Sequence, residues 1–438
     1  MTILFMKKKY QLERFFVTWL MILFMILTDA FTAFAQVKQA TVLVNGISCD
    51  LEQGILKVEF VTPDVVRVQY TGENTFMGNG TDVCLSRTVD NPVRWVYTPN
   101  PDCYLLKSDS LIVRVDLSTA SITYLDKEGR LLLQEDQNIP RISEKRVTKQ
   151  VIYDEHSKHI EKTADGDKEI KNVLRYDIIG HTWKYRINFK WQPLEALYGW
   201  GAHMEDYMNL RGKELYLCQH NLKAMVPVLN STAGYGLLFD AGCAMMFKDN
   251  SEGSFVELEA AKQIDYYFMK GKTMDAVVAN YRLLTGNSPM MPLYLFGYIQ
   301  SKERYVSSDD LINTLKEYRQ RQIPIDMIVQ DWNYWPEGQW GNMSMNPKFY
   351  PDKRKLADEI HSLHAKLMIS IWPNAMNCPQ HEEFKRKGWL LSGTSVYDAF
   401  NPLARKLYWN YANNEFFGNG FDAWWCDASE PLDADWTF

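Results

Sequence analysis

Alternating apolar and polar residues dominate the chain from residue 37 to about residue 272. Residues 66–70 and 111–117 have the two-residue period that is typical of half-buried strands. Residues 122–125 and 131–133 flank a short loop with a glycine, which predicts a β-hairpin. Repeated short strands separated by turn residues indicate an antiparallel β-sandwich.

Two segments of this region leave alternatives open. Residues 142–172 are rich in Lys, Glu, Asp and His, and they predict a long hairpin excursion or a mobile loop. His156 and His159 in that segment suggest a metal, but a solvated charged loop is the favoured interpretation. The Gly-punctuated residues 197–201 predict either a turn that brings Trp200 close to a ligand or a plain strand-to-loop junction.

The pattern changes after Pro292, where apolar runs begin to alternate with helical stripes. Near-continuous apolar strands separated by helices indicate parallel strands that helices cover. Four such units make half of an eight-stranded barrel. The predicted strands are residues 293–300, 323–329, 367–372 and 421–426, and the helical stripes are residues 311–318, 356–363 and 403–411.

The first of these helices has a well-marked start. Ser307 and Ser308 offer capping hydroxyls, and Asp309 and Asp310 place negative charge at the positive end of the helix dipole. We therefore expect the helix to begin at these serines.

The amino terminus predicts a leader and not a part of the fold. Lys7–Lys9 and Arg14 precede the apolar run 15–27, and Ala33-Phe34-Ala35 supplies a small-residue cleavage motif. This layout is that of a secretory signal peptide, and the apolar run is short for a membrane span. An uncleaved signal anchor is the less favoured alternative.

The predicted fold class is therefore multidomain, β followed by α/β. We expect a signal peptide over residues 1–35, an N-terminal antiparallel β-sandwich over 36–287, and the first half of a (β/α)8 TIM barrel, strands 1–4, over 288–438.

Composition narrows the classes of function. The 438 residues are 46% hydrophobic and 23% charged, which is typical of a soluble globular protein. A net charge of −6 argues against nucleic acid as a partner. The seven cysteines include no Cys-x-x-Cys pair, so neither zinc nor a dense disulfide framework is indicated, although one bridge among Cys49, Cys84 and Cys103 stays open. We expect no metal and no organic cofactor.

Polar and aromatic residues follow the predicted barrel strands. Asp331 and Trp332 follow the second strand, Trp372 ends the third, and Asp427 and Glu430 follow the fourth. Because the carboxyl ends of barrel strands form the active site, these residues are candidates for chemistry and ligand binding. Each also has a plain interpretation: an Asp after a strand often forms a turn or caps a helix.

Aromatic side chains extend this candidate rim. Trp335 and Trp340 lie in the loop after Asp331, and sugar stacking and loop packing are equally good interpretations of each. Trp425 shares a strand face with Asp427 by alternation. The carboxylate of Asp331 is suited to accept hydrogen bonds from sugar hydroxyls.

Residues 424–431, Trp-Trp-Cys-Asp-Ala-Ser-Glu-Pro, closely resemble the nucleophile segment of glycoside hydrolase family 31, the retaining α-glucosidases and α-xylosidases. The resemblance implies that Asp427 is the catalytic nucleophile and that Asp331 binds the sugar in the −1 subsite. It also implies that Trp372 lines the same pocket, and that Glu430 has a supporting role at most. Trp332 and Trp425 complete the predicted substrate-binding residues.

One feature of the sequence departs from the family pattern. Retaining hydrolysis uses two carboxyl groups about 5–5.5 Å apart, a nucleophile and an acid that later serves as base. In the family the acid/base Asp lies well beyond the nucleophile, in the second half of the barrel, whereas this sequence ends at Phe438. We therefore expect this chain to be the amino-terminal part of a longer enzyme and to lack turnover as it stands.

The expected function is that of an exported, exo-acting retaining α-glycosidase, periplasmic or extracellular. It would hydrolyse non-reducing-end α-xylosyl or α-glucosyl residues of oligosaccharides, without a membrane partner once the leader is removed. The loop of residues 331–340 most resembles the bacterial α-xylosidase branch of the family. The alternatives are an α-glucosidase of the same family, a non-catalytic carbohydrate-binding protein, and a transglycosylase or lyase outcome.

Overall fold

A computed structural model of the chain describes residues 36–76, 83–85, 92–163, 166–220, 223–391 and 394–429. The predicted leader over residues 1–35 and Glu430 lie outside the described residues. The chain divides into two compact units. The first comprises the described residues up to Thr148 together with Gly180–Ser288, and the second comprises Lys149–Ile179 and the described residues from Pro289 onward.

Antiparallel strands build the first unit and extend into the segment 149–179. In chain order they are β1 Val37–Val42, β2 Gly46–Leu51, β3 Ile55–Thr62, β4 Val65–Thr71, β5 Trp95–Pro99, β6 Cys103–Ser108, β7 Leu111–Asp116, β8 Ile122–Asp126, β9 Leu131–Glu135, β10 Arg141–Tyr153, β11 His159–Thr163, β12 Gly166–Ile170, β13 Val173–Lys190, β14 Leu197–Ala202, β15 Glu214–Leu217, β16 Ala224–Ser231, β17 Tyr235–Phe239, β18 Met245–Asn250, β19 Gly253–Ala261 and β20 Ile264–Lys270.

These strands form two large sheets. One has the order β1-β2-β3-β4-β20-β17-β16-β14, and the other has the order β15-β18-β19-β13-β9-β8-β7-β6-β5, with β10 also paired to β13. Their apolar faces meet in one core, in which Tyr124 stacks on Phe268 at a centroid separation of 4.0 Å. The alternating apolar residues therefore give each sheet one buried face, as the sequence predicts. The predicted sandwich is confirmed.

Residues 142–172 are more ordered than a loop. The long strands β10 and β13 run through or beside this segment, and β11 and β12 form a separate antiparallel pair between them. The hairpin interpretation is thus correct. Several large apolar side chains of β13, among them Leu174, Tyr176 and Ile178, are exposed.

Helix α1 (Met274–Thr285) belongs to the first unit, and the second unit continues with alternating strands and helices. These elements are β21 Ile299–Gln300, α2 Ser308–Gln320, β22 Met327–Gln330, α3 Lys353–Ser362, β23 Lys366–Ile371, α4 Pro379–Lys387, α5 Pro402–Glu415 and β24 Ala423–Cys426. The four strands pair in parallel in the order β21-β22-β23-β24. The predicted start of a barrel is confirmed.

Alternation along these strands separates two faces. Ile328, Leu367 and Ile369 pack among the helices, together with Leu311 of α2 and Leu356 of α3. The opposite face carries a smaller apolar cluster of Ile299, Met327, Val329, Met368 and Ala423. The first face is the outer, helix-covered side of the sheet, and the second is the inner side of the barrel wall.

Several sequence-based expectations need correction. The first barrel strand is short, because Leu293–Phe296 forms a 3₁₀ turn and the strand occupies only Ile299–Gln300. Helix α4 was not predicted, although Pro379 at its start and Gly388 after its end, with φ of 66°, are the usual boundary signals. Trp200 is completely buried against Phe239 and Phe247 in the sandwich core, so it does not face a ligand.

All seven cysteines lie in the described residues, and all are free thiols. Cys49, Cys84 and Cys103 are buried and do not form the bridge that the sequence left open. In the part of the chain that the structure describes, no helix is both long and apolar enough to cross a membrane.

Candidate functional site

The inner face of the parallel sheet changes from apolar to polar toward the carboxyl ends of its strands. Val329 pairs with Met368, and Met368 pairs with Ala423, so these residues form an apolar floor. One pleat further along, Ser370 pairs with Trp425, and Asp331 follows the Gln330–Ile369 pair at the same level. Trp372 and Asp427 follow the last pair, Ile371 with Cys426, and lie at the rim.

Asp427 is held by its own turn. Its backbone N–H donates to the carbonyl of Ile371 at 3.0 Å, which continues the parallel ladder by one residue. Its carboxylate accepts from the N–H of Ala428 at 2.8 Å, and Ala428 has a left-handed φ of 48°. A non-glycine residue in this region marks a tight, specified turn. The half-buried carboxylate is therefore fixed at the end of β24.

Asp331 has a similar local arrangement. Its carboxylate accepts from the N–H of Trp332 at 2.8 Å, and Asn333 has a left-handed φ of 58°. The amide of the fully buried Gln330 donates to the carbonyls of Asp331, at 3.0 Å, and Tyr305, at 3.1 Å. These bonds hold the main chain where β22 ends.

The surroundings of Asp331 disfavour its negative charge. Burial raises the pKa of Asp331 above its ordinary value, and the charges of Asp427 and Glu303 raise it further, while bonds from Trp332 and Ser370 lower it. An acid with an upward-shifted pKa beside other carboxylates is common at catalytic and binding sites. The charge of Asp427 therefore acts on the carboxylate of Asp331.

Trp372 is held from several sides. Its indole N–H donates to the hydroxyl of Ser370 at 3.2 Å, and its carbonyl accepts from the hydroxyl of Tyr408 at 3.0 Å. Its ring meets Trp340 edge-to-face at 5.2 Å and Trp335 at 6.3 Å. Such packing fixes the ring before any ligand arrives.

Trp332 lies in the same aromatic cluster and not on the inner sheet face. It packs against Trp335 at 6.5 Å and Trp340 at 5.5 Å. Trp335 is buried in the helix-side core, which favours the loop-packing interpretation for that residue. The indole N–H of Trp340 is buried without a hydrogen-bond partner. Trp425, in contrast, is 49% exposed and lies beside Ser370.

Sequence analysis did not single out Glu303. It follows the first barrel strand, is exposed, and its charge reaches Asp331. The available signal was a carboxylate shortly after the predicted strand 293–300, but Glu303 does not directly follow the strand end as Asp331 does. Glu303, Asp331 and Asp427 therefore follow three of the four parallel strands, β21, β22 and β24.

The described residues include no group of three or more His, Cys, Asp or Glu side chains that could hold a metal ion.

The second unit has parallel strands covered by helices, with acids and tryptophans after the carboxyl ends of the strands. This arrangement is that of the (β/α)8-barrel proteins, which carry their active site at the carboxyl ends of the barrel strands. Residues 288–437 match the glycosyl hydrolases family 31 TIM-barrel domain. Residues 55–247 match the glycosyl hydrolase 31 N-terminal galactose mutarotase-like domain. The chain belongs to glycoside hydrolase family 31.

Relatives of known name include α-xylosidases and α-glucosidases. An α-xylosidase of Saccharolobus solfataricus is 29% identical over 387 residues, which is 86% of this chain and 48% of the relative. α-Xylosidase A of Aspergillus niger is 24% identical over 57% of this chain and 36% of its own length. This chain therefore spans about half, or less, of these relatives.

Solved structures share the fold. A family 31 α-xylosidase from a soil metagenome, complexed with xylose, superposes with a TM-score of 0.75 at 23% identity, over 92% of this chain and 59% of that one. A family 31 dextranase of Flavobacterium johnsoniae gives a TM-score of 0.72 at 19% identity, over 90% and 47% of the two chains.

Proposed function

We propose that this chain carries the nucleophile-bearing part of the active site of a retaining, exo-acting α-glycosidase of the α-xylosidase type. One observation carries the proposal. Asp427 stands half-buried at the carboxyl end of β24, above an apolar floor, where its charge acts on the carboxylate of Asp331. An acid held in this way is what a glycosidase requires of its nucleophile.

In the proposed reaction, a carboxylate oxygen of Asp427 forms a bond to the anomeric carbon of the non-reducing-end sugar. The bond from that carbon to the glycosidic oxygen breaks, and the oxygen leaves with the electron pair and takes a proton from a second carboxyl group. Water then cleaves the β-linked glycosyl ester with net retention. The N–H of Ala428 orients the Asp427 carboxylate for this attack, at 2.8 Å.

The other candidate residues take positioning and binding roles. Asp331 accepts hydrogen bonds from sugar hydroxyls in its ionised form, and Trp372 and the half-exposed Trp425 offer ring faces to the sugar. Trp332 acts through the aromatic cluster that holds Trp372. Glu430 follows the Asp427 turn and would support it.

The names of the relatives support xylosyl as the substrate class, with glucosyl as the second candidate. The matched α-glucosidase of Saccharolobus solfataricus covers a shorter part of this chain, 39%, than the α-xylosidase of the same organism, 86%. The leader sequence supports export, with the substrate met outside the cytoplasm.

Glycosyl fluorides test the substrate class in this chain, because fluoride departs without protonation and the first step then needs only the nucleophile. A faster release of fluoride from α-xylosyl fluoride than from α-glucosyl fluoride is expected. Equal rates, or a preference for glucosyl, would overturn the xylosyl proposal. Asp427→Asn should abolish the release, while Asp422→Asn, at the other end of the same strand, should retain it.

A binding experiment with xylose distinguishes the non-catalytic carbohydrate-binding alternative from the hydrolytic one. If the chain binds xylose but releases no fluoride, the carbohydrate-binding interpretation replaces the hydrolytic one.

A further inference from the structure

Two loops at the rim of the candidate site lie unusually close to each other. The first follows β22 and carries Trp340, and the second follows β23 and begins with Trp372. Gly341, in the first loop, is buried against the main chain of Asn374 in the second. A Cβ on Gly341 would collide with the carbonyl oxygen of Asn374, a main-chain atom that cannot turn aside as the end of a side chain would. Only glycine therefore permits this approach.

Hydrogen bonds hold the two loops together on either side of this contact. The N–H of Met376 donates to the carbonyl of Trp340 at 2.9 Å. The N–H of Met343 donates to Oε1 of Gln380, a buried residue of helix α4, also at 2.9 Å. Gly341 lies between Trp340 and Met343 in the sequence, so a displacement of its main chain would strain both bonds.

The loop contact fixes the place of the Trp340 ring. This ring meets Trp372 edge-to-face, with the centroids 5.2 Å apart and an angle of 84° between the ring planes. Its other neighbours are Trp332, at 5.5 Å, and Trp335, at 5.7 Å, which both belong to the first loop. An edge-to-face contact requires the positive edge of one ring to reach the negative face of the other. A shift between the loops would therefore separate Trp340 from Trp372 and leave its other two contacts in place.

Backbone conformation alone does not explain this glycine. Gly341 has a φ of 64°, and Gly338, earlier in the same loop, has a φ of 74°, so both occupy the left-handed region that favours glycine. Gly338 is exposed, and a Cβ there would meet nothing within 4 Å. The two positions therefore share the conformational requirement and differ in the contact with the second loop.

We infer that Gly341 is a positioning residue of the sugar site, whose missing side chain lets the two rim loops close and thereby holds Trp340 against the ring of Trp372. It acts on the sugar only through these two rings. The inference rests on the proposed function for the identity of the ligand, whereas the loop contact itself requires no ligand.

The first experiment follows the indole ¹⁵N–¹H signal of Trp372 in the ligand-free 438-residue chain. Its disappearance in Trp372→Phe assigns the signal, and Trp340→Leu gives its position without the neighbouring ring. Gly341→Ala should move the signal toward the position seen in Trp340→Leu, because the added methyl group pushes the loops apart. Gly338→Ala, the matched control, adds the same group in the same backbone conformation and should leave the signal in place. A wild-type signal position in Gly341→Ala would overturn the inference.

A second variant covers the case in which Gly341→Ala does not fold. Gln380→Met removes the acceptor of the Met343 N–H without adding an atom between the loops. It should displace the Trp372 signal in the same direction as Trp340→Leu, and an unchanged signal would overturn the inference by itself.

Titration calorimetry with xylose measures the consequence for the site. Gly341→Ala and Trp340→Leu should each weaken binding about tenfold, which is the value of one aromatic contact. The double variant should bind as weakly as either single variant, because both substitutions act through the same ring. Additive losses would show that Gly341 acts elsewhere and would overturn the positioning role.

The outcomes remain distinguishable. If the wild type binds neither xylose nor glucose, the proposed function fails, while the Trp372 signal still decides the role of Gly341. If Gly338→Ala displaces the signal and weakens binding as much as Gly341→Ala, backbone strain explains both effects and the positioning role is rejected.

Discussion

At the scale of single residues, the candidate site has two carboxylates that directly follow strands β22 and β24. The sequence identified Asp331 and Asp427 because an acid directly after an apolar strand is conspicuous. It did not single out Ser370, whose hydroxyl accepts from the indole of Trp372, because alternation shows which positions face inward and not what a polar side chain there bonds. Trp200 was ambiguous for a related reason: a Gly-flanked aromatic residue can face a ligand or a core, and its left-handed φ of 62° serves the core here.

The protonation of Asp331 should set the pH dependence of sugar binding. Its pKa is raised in the folded protein, so its charge is lost at higher pH than that of an ordinary Asp as the solution is acidified. On acidification, xylose affinity should therefore fall at a higher pH than that at which exposed carboxylates become protonated. Asp331→Asn should bind weakly and without this dependence. Calorimetric titration across pH checks this, and an unaltered pH profile in Asp331→Asn would contradict it.

At the scale of elements, the order of strands and helices in the barrel part was predicted well, and the element ends less well. The pattern of apolar residues locates α2 and α3 because each has a buried stripe. In α5 only Ala404 and Ala412 are buried, and Leu403 of the predicted stripe is exposed. Helix α4 has only Phe384 and Gln380 buried, so its stripe is too short to be seen. β21 is short because Leu293–Phe296, inside the predicted strand, forms a 3₁₀ turn. Gly297, which follows that turn, lies directly against the side chain of Asp326, where a larger residue would collide.

The start of helix α2 distinguishes two adjacent serines. Ser307 is the cap, since its hydroxyl accepts from the N–H of Asp310 at 3.2 Å, whereas the hydroxyl of Ser308 is buried without a partner. Ser307→Ala should lower the free energy of unfolding by about 1 kcal/mol. Ser308→Ala, the matched control, should leave it within about 0.5 kcal/mol. Urea unfolding measures both, and equal losses would contradict the assignment.

Asp422 connects three elements at the opposite end of the sheet. Its carboxylate accepts from His361 of α3 at 2.7 Å, and from the side chain of Lys366 and the N–H of Leu367, both at 2.9 Å. Burial raises the pKa of Asp422, but these three bonds together lower it below its ordinary value.

The lowered pKa fixes the sign of the pH effect. The stabilisation is present above the unfolded-state pKa, about 4, and is lost as the pH falls below it. Asp422→Asn should therefore destabilise the protein by about 1–3 kcal/mol near neutral pH. The difference from the wild type should shrink in acid. Unfolding curves at several pH values check this, and a constant difference would count against it.

At the scale of the whole chain, the sequence predicted the two kinds of architecture, an antiparallel sandwich followed by parallel strands with helices. It could not predict the strand order of the sandwich, in which β4 pairs with β20 across nearly two hundred residues. Alternation shows which side chains are buried, but it does not show which strands are neighbours.

A buried ion pair links strands of the sandwich. Arg141 donates to the carboxylate of Glu135 at 2.5 Å, the carboxylate also accepts from Tyr266, and Glu135 is completely buried. Arg141→Met would leave that charge unpaired and should cost about 3–5 kcal/mol. The double variant with Glu135→Leu should recover most of the loss. Urea unfolding decides, and a double variant as unstable as the single one would contradict the pairing argument.

The central claim is that Asp427 is the nucleophile, and covalent labelling tests it most directly. The 438-residue chain is incubated with 5-fluoro-α-xylosyl fluoride, from which fluoride leaves with its electron pair as the carboxylate oxygen bonds to the anomeric carbon. Peptide mass spectrometry should then find one fluoroxylosyl group, esterified to Asp427, and no label in Asp427→Asn. A label on Asp331 or Glu303 instead, with Asp427 unmodified, would contradict the account.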